Sequence, residues 1–215
     1  VQKLGKIFAS KWLIPVVVLL ALFFVFPTYW AGFKTDDLIH RSFMQGSQEL
    51  YEKGYVHAKP GVDGLYAVSN FFTFFDPEIP GHIESQKQYG TVPWWIYENV
   101  KLSFFRPVSA FTHWLDYQLW PDSPEMMHLQ NLFWMALWLL VAALLYRRFI
   151  GSVPAAGLAA TFFVLDLSYA LTVGWIANRN ALIATTFGLL TIYLHDKWRK
   201  SGSIKYAILT QLIFI

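Results

Sequence analysis

Two adjacent carboxylates, Asp36 and Asp37, follow an apolar segment, Trp12 to Trp30, by only a few residues. A carboxylate held just beyond a membrane-crossing segment can meet membrane-embedded and water-soluble substrates together. Two arginines add a second kind of chemistry. Arg106 stands in Phe104-Phe105-Arg106-Pro107, where the proline fixes the backbone and the aromatic pair can anchor at lipid headgroups. Arg179 follows Trp175-Ile176-Ala177-Asn178 and precedes Asn180 at the expected start of a helix. A guanidinium in such a place can pair bidentately with phosphate, helped by the partial positive charge of a helix N-terminus. Each group also has a plainer explanation. Thr35-Asp36-Asp37-Leu38 reads as a helix N-terminus with favourable first-turn charge, and most interfacial arginines simply reach toward headgroups.

The elements that must position these groups are membrane helices. Of the residues, 55% are hydrophobic, 19% aromatic and only 14% charged, which excludes an ordinary soluble domain. The net charge of +3 does not point to nucleic acid, because the basic residues fall on membrane flanks and form no stripe. The absence of cysteine excludes disulfides and thiolate metal sites. The first apolar segment has the length of a spanning helix, and Pro27-Thr28-Tyr29-Trp30 is a poor cleavage site, so it reads as an uncleaved anchor and not as a secretory signal. Later apolar stretches are Met127–Tyr146, Val153 to about Ile176, Ala181–His195 and Ile204–Ile215. The last is too short to span, and the chain is expected to be part of a longer protein.

The sequence therefore predicts an all-α, polytopic transmembrane protein with five visible spans, the fifth incomplete. Its expected parts are 1–31, a cytoplasmic tail and first helix; 32–126, a long structured extracytoplasmic loop; and 127–215, helices two to five. Nine of the 17 Lys and Arg residues lie in the short flanks assigned to the inside: Lys3, Lys6, Lys11, Arg147, Arg148, Lys197, Arg199, Lys200 and Lys205. That bias sets the N-terminus in the cytoplasm. In the outer loop, Leu38–Lys53 reads as a surface helix, while Gly54–Gly64 and Asp76–Gly81 read as turns. Val108, Phe111, Leu115 and Leu119 recur at helical spacing opposite Ser109, Thr112, His113 and Asp116, a stripe that fits a helix lying on the membrane. The run Phe71-Phe72-Thr73-Phe74-Phe75 is expected to pack the loop onto the membrane, and Trp94-Trp95 to anchor at the interface. His113 with Asp116, and Glu125 with His128, have the i,i+3 spacing of metal pairs, but ordinary polar-face placement explains them.

Asp166 is out of place in an apolar stretch. An aspartate at the centre of a spanning helix costs about 2.5–3.5 kcal/mol on insertion scales, so either it faces a polar interior or the helix ends near it. Val153–Leu165 would then be a short helix opening toward a cavity. The plain alternative is an interhelical hydrogen bond.

The order of Asp36-Asp37 after the first span, Phe105-Arg106-Pro107 before an amphipathic stretch, His128-Leu129-Gln130-Asn131 entering the second span, and Trp175-Ile176-Ala177-Asn178-Arg179-Asn180 resembles the N-terminal half of GT-C glycosyltransferases. The branch it is most similar to comprises relatives of the tetratricopeptide-bearing O-mannosyltransferases, including bacterial ones. The resemblance implies sugar transfer with inversion from a polyprenyl-phosphate carrier to an extracytoplasmic acceptor, in a bacterial inner membrane. It implies Asp36 as general base toward the acceptor hydroxyl, and Asp37 as an acceptor-positioning or metal-holding group. Arg106 and Arg179 would neutralise the phosphate, and Asp166, Trp175, Asn178 and Asn180 would line the cavity. A divalent metal is the one cofactor it allows, since some relatives use one. Membrane lipids, the lipid-linked donor and other membrane subunits are the implied partners. The chain departs from the family at Asp166–Leu171, where relatives often carry His-Pro followed by His and Glu. That departure keeps a rival open, a non-catalytic structural or accessory subunit of a membrane complex that retains the fold.

Overall fold

The computed structural model describes residues 2–53, 64–78, 81–88, 90 and 92–214. Most of the turn expected at Gly54–Gly64, and part of that at Asp76–Gly81, lies outside the described residues. In chain order the elements are helices α1 (Gln2–Ala9), α2 (Leu13–Val25), α3 (Thr35–Gln45), α4 (Gln48–Glu52) and α5 (Gly64–Asn70), strand β1 (Thr73–Phe75), α6 (His82–Gln88) and β2 (Leu102–Ser103). Then come α7 (Pro107–Leu119), α8 (Pro124–Phe149), α9 (Val153–Leu165), α10 (Ala170–Val173), α11 (Arg179–Ser201) and α12 (Ile204–Phe214). The protein is mostly helical. It divides into two compact units, Val1–Gly32 with Met127–Ile215, and Phe33–Met126.

In the first unit, three stretches are long and apolar enough to cross a membrane: Leu13–Trp30, Pro124–Phe149 and Val153–Val173. Pro15 is tolerated in α2 because it lies in the first turn, where its missing N–H would have no helical partner. The buried side chains of α2, Ile14, Val17, Val18, Ala21 and Val25, form one stripe at helical spacing. Leu19, Phe23 and Phe24 point outward although equally apolar, which is how a helix hydrophobic all round sits in hydrocarbon. The stripe meets Leu132, Met135 and Leu139 of α8, Ala160 and Val164 of α9, and Leu182 of α11 in one core. Gly157 lets α1 press against α9, since a Cβ built there would lie 2.0 Å from the Phe8 carbonyl oxygen.

The stretch expected as a span from Val153 to about Ile176 is a candidate span over Val153–Val173, and within it α9 ends at Asp166, whose backbone turns extended (φ −72°, ψ 101°). The run Ala181–His195 does lie within a single 23-residue helix, α11. That helix is outside the set of three, as Arg179 and Asn180 on one side and Asp196 and Lys197 on the other leave its apolar run too short.

The second unit is built around Phe43, Ala67, Phe71, Phe72 and Ala110, from α3, α5, the β1 approach and α7. Burying a phenylalanine is worth about 1.5–3 kcal/mol, so the three rings dominate its cohesion. Phe71 and Phe72 are interior, not membrane-facing as expected from the run, because β1 pairs antiparallel with β2 and turns them inward. The helix expected over Leu38–Lys53 is two helices, split where Gly46 takes a left-handed φ of 71° and closes α3.

Helix α7 is built inside out. Its polar side chains Ser109, Thr112, His113 and Asp116 are buried, whereas Val108, Phe111 and Leu119 are exposed. A helix in water adopts the reverse arrangement. The exposed apolar stripe continues through Phe104 and Phe105, the latter 86% exposed.

Candidate functional site

In the Phe33–Met126 unit the acidic pair occupies the first turn of α3. Lys34 precedes the helix in extended conformation (φ −124°, ψ 153°), and its backbone N–H donates to Asp37 Oδ2 at 2.9 Å. Asp37 is 1% exposed. It therefore completes the helix start, satisfying a donor that the helix cannot. Adjacent helical residues point about 100° apart. Asp36 accordingly faces outward, exposed and with no side-chain hydrogen bond among the described residues. The two carboxylates thus have unlike surroundings, Asp37 buried and bonded and Asp36 exposed.

One turn along α3, His40 is buried with its ring 4.3 Å from that of Phe71 and 5.6 Å from that of His113. His113 and Asp116 are both fully buried, and Trp120 Nε1 donates to Asp116 Oδ1 at 3.1 Å. The His40–His113 ring contact joins α3 to α7, and Asp37 and Asp116 are buried on the same two helices. Their i,i+3 spacings, Asp37 to His40 and His113 to Asp116, place each pair on one helical face. Among the described residues no group of three or more His, Asp or Glu side chains is arranged to hold a metal ion. His40 is the one of these four that the sequence did not single out.

Arg106 precedes α7 with Pro107 at the first helical position. Its guanidinium lies over the rings of Phe72, at 5.0 Å, and Phe104, at 4.5 Å. Partial burial lowers its pKa below the usual arginine value, yet an arginine stays charged at neutral pH. Phe72 also lies edge-on to His40, so a single ring separates the Arg106 cation from the buried histidine core. Elsewhere on α3, Arg41 pairs with Asp122 and stacks over Phe33, tying the helix to the segment before α8.

The remaining candidates belong to the other unit, and there the structure differs from expectation. Arg179 is 0% exposed. Its Nε donates to Asn131 Oδ1 at 2.7 Å and its Nη2 to the Met127 carbonyl at 3.0 Å. Asn131 Nδ2 in turn donates to the carbonyls of Val173 at 2.9 Å and Trp175 at 3.1 Å. One asparagine on α8 therefore clamps the end of α10, the Trp175 backbone and the start of α11. His128, a turn before it, bonds the Gly32 carbonyl at 2.9 Å. Arg179, expected as a phosphate ligand, is thus buried and hydrogen-bonded within its own unit. Trp175 contributes its carbonyl to the same clamp, Asn178 precedes α11 and Asn180 lies in its first turn, all three half-buried. Asp166, expected to line a cavity, is exposed and accepts the Ser168 N–H at 3.1 Å, capping its own short 3₁₀ turn.

Comparison with protein-family models, curated proteins and solved structures finds no match. The chemistry of the chain must be argued from its own residues. Asn131 is the functional-looking residue that sequence reasoning left without a role, although the amides Gln130-Asn131 inside the apolar run Met127–Tyr146 were a signal that something polar had to be met there.

Proposed function

We propose that the chain is part of a GT-C-like membrane glycosyltransferase that moves a sugar from a polyprenyl-phosphate carrier to an acceptor outside the cytoplasm. The observation that carries this reading is the division of labour at the start of α3, where Asp37 is buried and bonded while Asp36 is exposed and uncommitted. Asp36 takes the proton of the acceptor hydroxyl as that oxygen attacks the anomeric carbon. The bond from that carbon to the phosphate oxygen breaks, and the carrier phosphate leaves with the electron pair. Such a leaving group needs charge neutralisation more than protonation. Arg106 supplies a cation on the same unit, held by Phe72 and Phe104.

In this reading Asp36→Asn lowers sugar transfer by about 10²–10⁴-fold, the usual loss for a general base, with carrier binding retained. Arg106→Lys weakens carrier binding, because the charge survives but the bidentate geometry does not. Transfer by purified full-length Asp36→Asn protein at the parent rate would remove the catalytic role.

The burial of Arg179 favours a second reading, a non-catalytic subunit that keeps the fold. In that case Asp36→Asn and Arg106→Lys alter co-purifying membrane proteins, and no transfer is measured for any variant.

A further inference from the structure

At the end of α8 that carries Arg147 and Arg148, a concavity of about 340 Å³ opens within the first unit. Ala142, Leu145, Tyr146 and Phe149 line it from α8, Phe163 from α9 and Leu189 from α11. From Ala142 to Phe149 the α8 lining follows helical spacing and runs for about 10 Å of helix rise. The lining is hydrocarbon apart from the Tyr146 hydroxyl. The mouth is cationic. Lys200 Nζ lies 5.8 Å from the centre of the Phe149 ring, which itself lines the groove. Arg148 Nε and Lys200 Nζ share the single carboxylate of Asp196, at 2.5 Å and 3.0 Å. Beside Arg148 in the chain, Arg147 donates Nη2 to the Ser10 carbonyl at 2.8 Å, and its buried Nε has no hydrogen-bond partner among the described residues. Arg148 and Lys200 against the one carboxylate of Asp196 leave the mouth with an excess positive charge.

An apolar slot a few carbons wide with a positive rim, set at the end of membrane-length helices, has the two-part chemistry of one molecule. We propose that the groove holds an anionic phospholipid of the leaflet facing Arg147 and Arg148, one acyl chain lying along Leu145, Phe163 and Leu189 and the headgroup phosphate meeting Lys200 and its arginine neighbours. Charge complementarity selects this occupant over a bare apolar partner. A packed helix from another chain would fill the groove but leave the excess positive charge unanswered. The site lies on α8, α9 and α11 only and does not depend on the sugar-transfer reading.

The test is native mass spectrometry of the full chain released from detergent, after addition of phosphatidylglycerol or of phosphatidylcholine with identical chains. One phosphatidylglycerol per chain is expected to survive activation, and phosphatidylcholine is not. Lys200→Gln, on an exposed side chain that no core packing requires, is expected to lower phosphatidylglycerol retention about fivefold, the contribution of one basic residue at a membrane surface. Ala142→Phe fills the apolar slot and should abolish retention of phosphatidylglycerol, and if that variant fails to fold, Lys200→Gln alone decides. Glycerol phosphate, which carries the headgroup without chains, should not bind. Equal retention of the two phospholipids, unchanged retention in Lys200→Gln, or a lipid-free dimer occluding the groove would each overturn the proposal.

Discussion

Replacing Asn131 by leucine tests the clamp more sharply than any change to Arg179 itself. The substitution keeps the branching of the side chain at Cγ but removes two donors and one acceptor. The carbonyls of Val173 and Trp175 each lose a neutral hydrogen bond, worth about 0.6–1.7 kcal/mol between membrane helices. Arg179 loses its Oδ1 partner, a bond to a charged group worth about 1.5–3 kcal/mol, and the cation stays buried. The expected destabilisation is therefore about 3–6 kcal/mol, read as a fall in the denaturant midpoint of the full chain in detergent with the slope unchanged. Arg179→Met alone should also destabilise, because it strands the Asn131 oxygen. The double variant should be less damaging than the two singles combined, by about 1.5–3 kcal/mol, since with both gone no buried charge is left unanswered. Additivity within about 0.5 kcal/mol would show that the two side chains do not act together, and the description of Arg179 as hydrogen-bonded to Asn131 would be wrong.

Gly157→Ala forces the α1 backbone away from α9, as its new Cβ would meet the Phe8 carbonyl at 2.0 Å; the unfolding midpoint should fall, and a disulfide cross-link engineered between the two helices should form less readily in the variant. Asp37→Ala should cost about 1 kcal/mol of stability through loss of the α3 start, whereas Asp36→Asn should change stability by less than about 0.5 kcal/mol, both read by chemical denaturation. The hydrogen bond from Arg148, followed by that from Lys200, holds the Asp196 carboxyl below the ordinary aspartate value. Its stabilising effect is therefore complete above about pH 4, the unfolded aspartate range, and is lost as pH falls through the lower folded value. Asp196→Asn should flatten that part of the acid limb in a melting-temperature profile, and an unchanged profile would refute the link.

Asp166 could be read from composition because a carboxylate in an apolar run is costly enough to demand an end to the helix, and α9 does end at Leu165. The unlike fates of Asp36 and Asp37 were likewise legible from the angle between neighbouring helical side chains. Arg179 was not. Its neighbourhood in the sequence suggests an interface, and its burial depends on Asn131, 48 residues earlier, whose amide is the right length to answer it. Phe71 and Phe72 show the same limit on a smaller scale. An aromatic run has no period to assign its faces, and the decision rests with β2, Phe43 and Ala110, which local pattern does not reveal. The buried groups His40, His113 and Asp116 were half visible as i,i+3 spacings, but two helices had to meet before the two histidine rings came into contact.

The inverted burial of α7 reverses the ordinary rule for engineering a manageable fragment. A designer who saw Val108, Phe111 and Leu119 on the outside of an excised Phe33–Met126 unit would replace them with lysine or glutamate to keep it dissolved. Those changes would make the helix polar outside as well as inside, leaving Ala110, Tyr117 and the buried polar groups to orient it. Hydrophobic substitutions at the same positions would be the neutral ones. For this helix the tolerance of a position to mutation follows the medium around the protein, and a library selected for solubility would discard the sequences that keep α7 oriented.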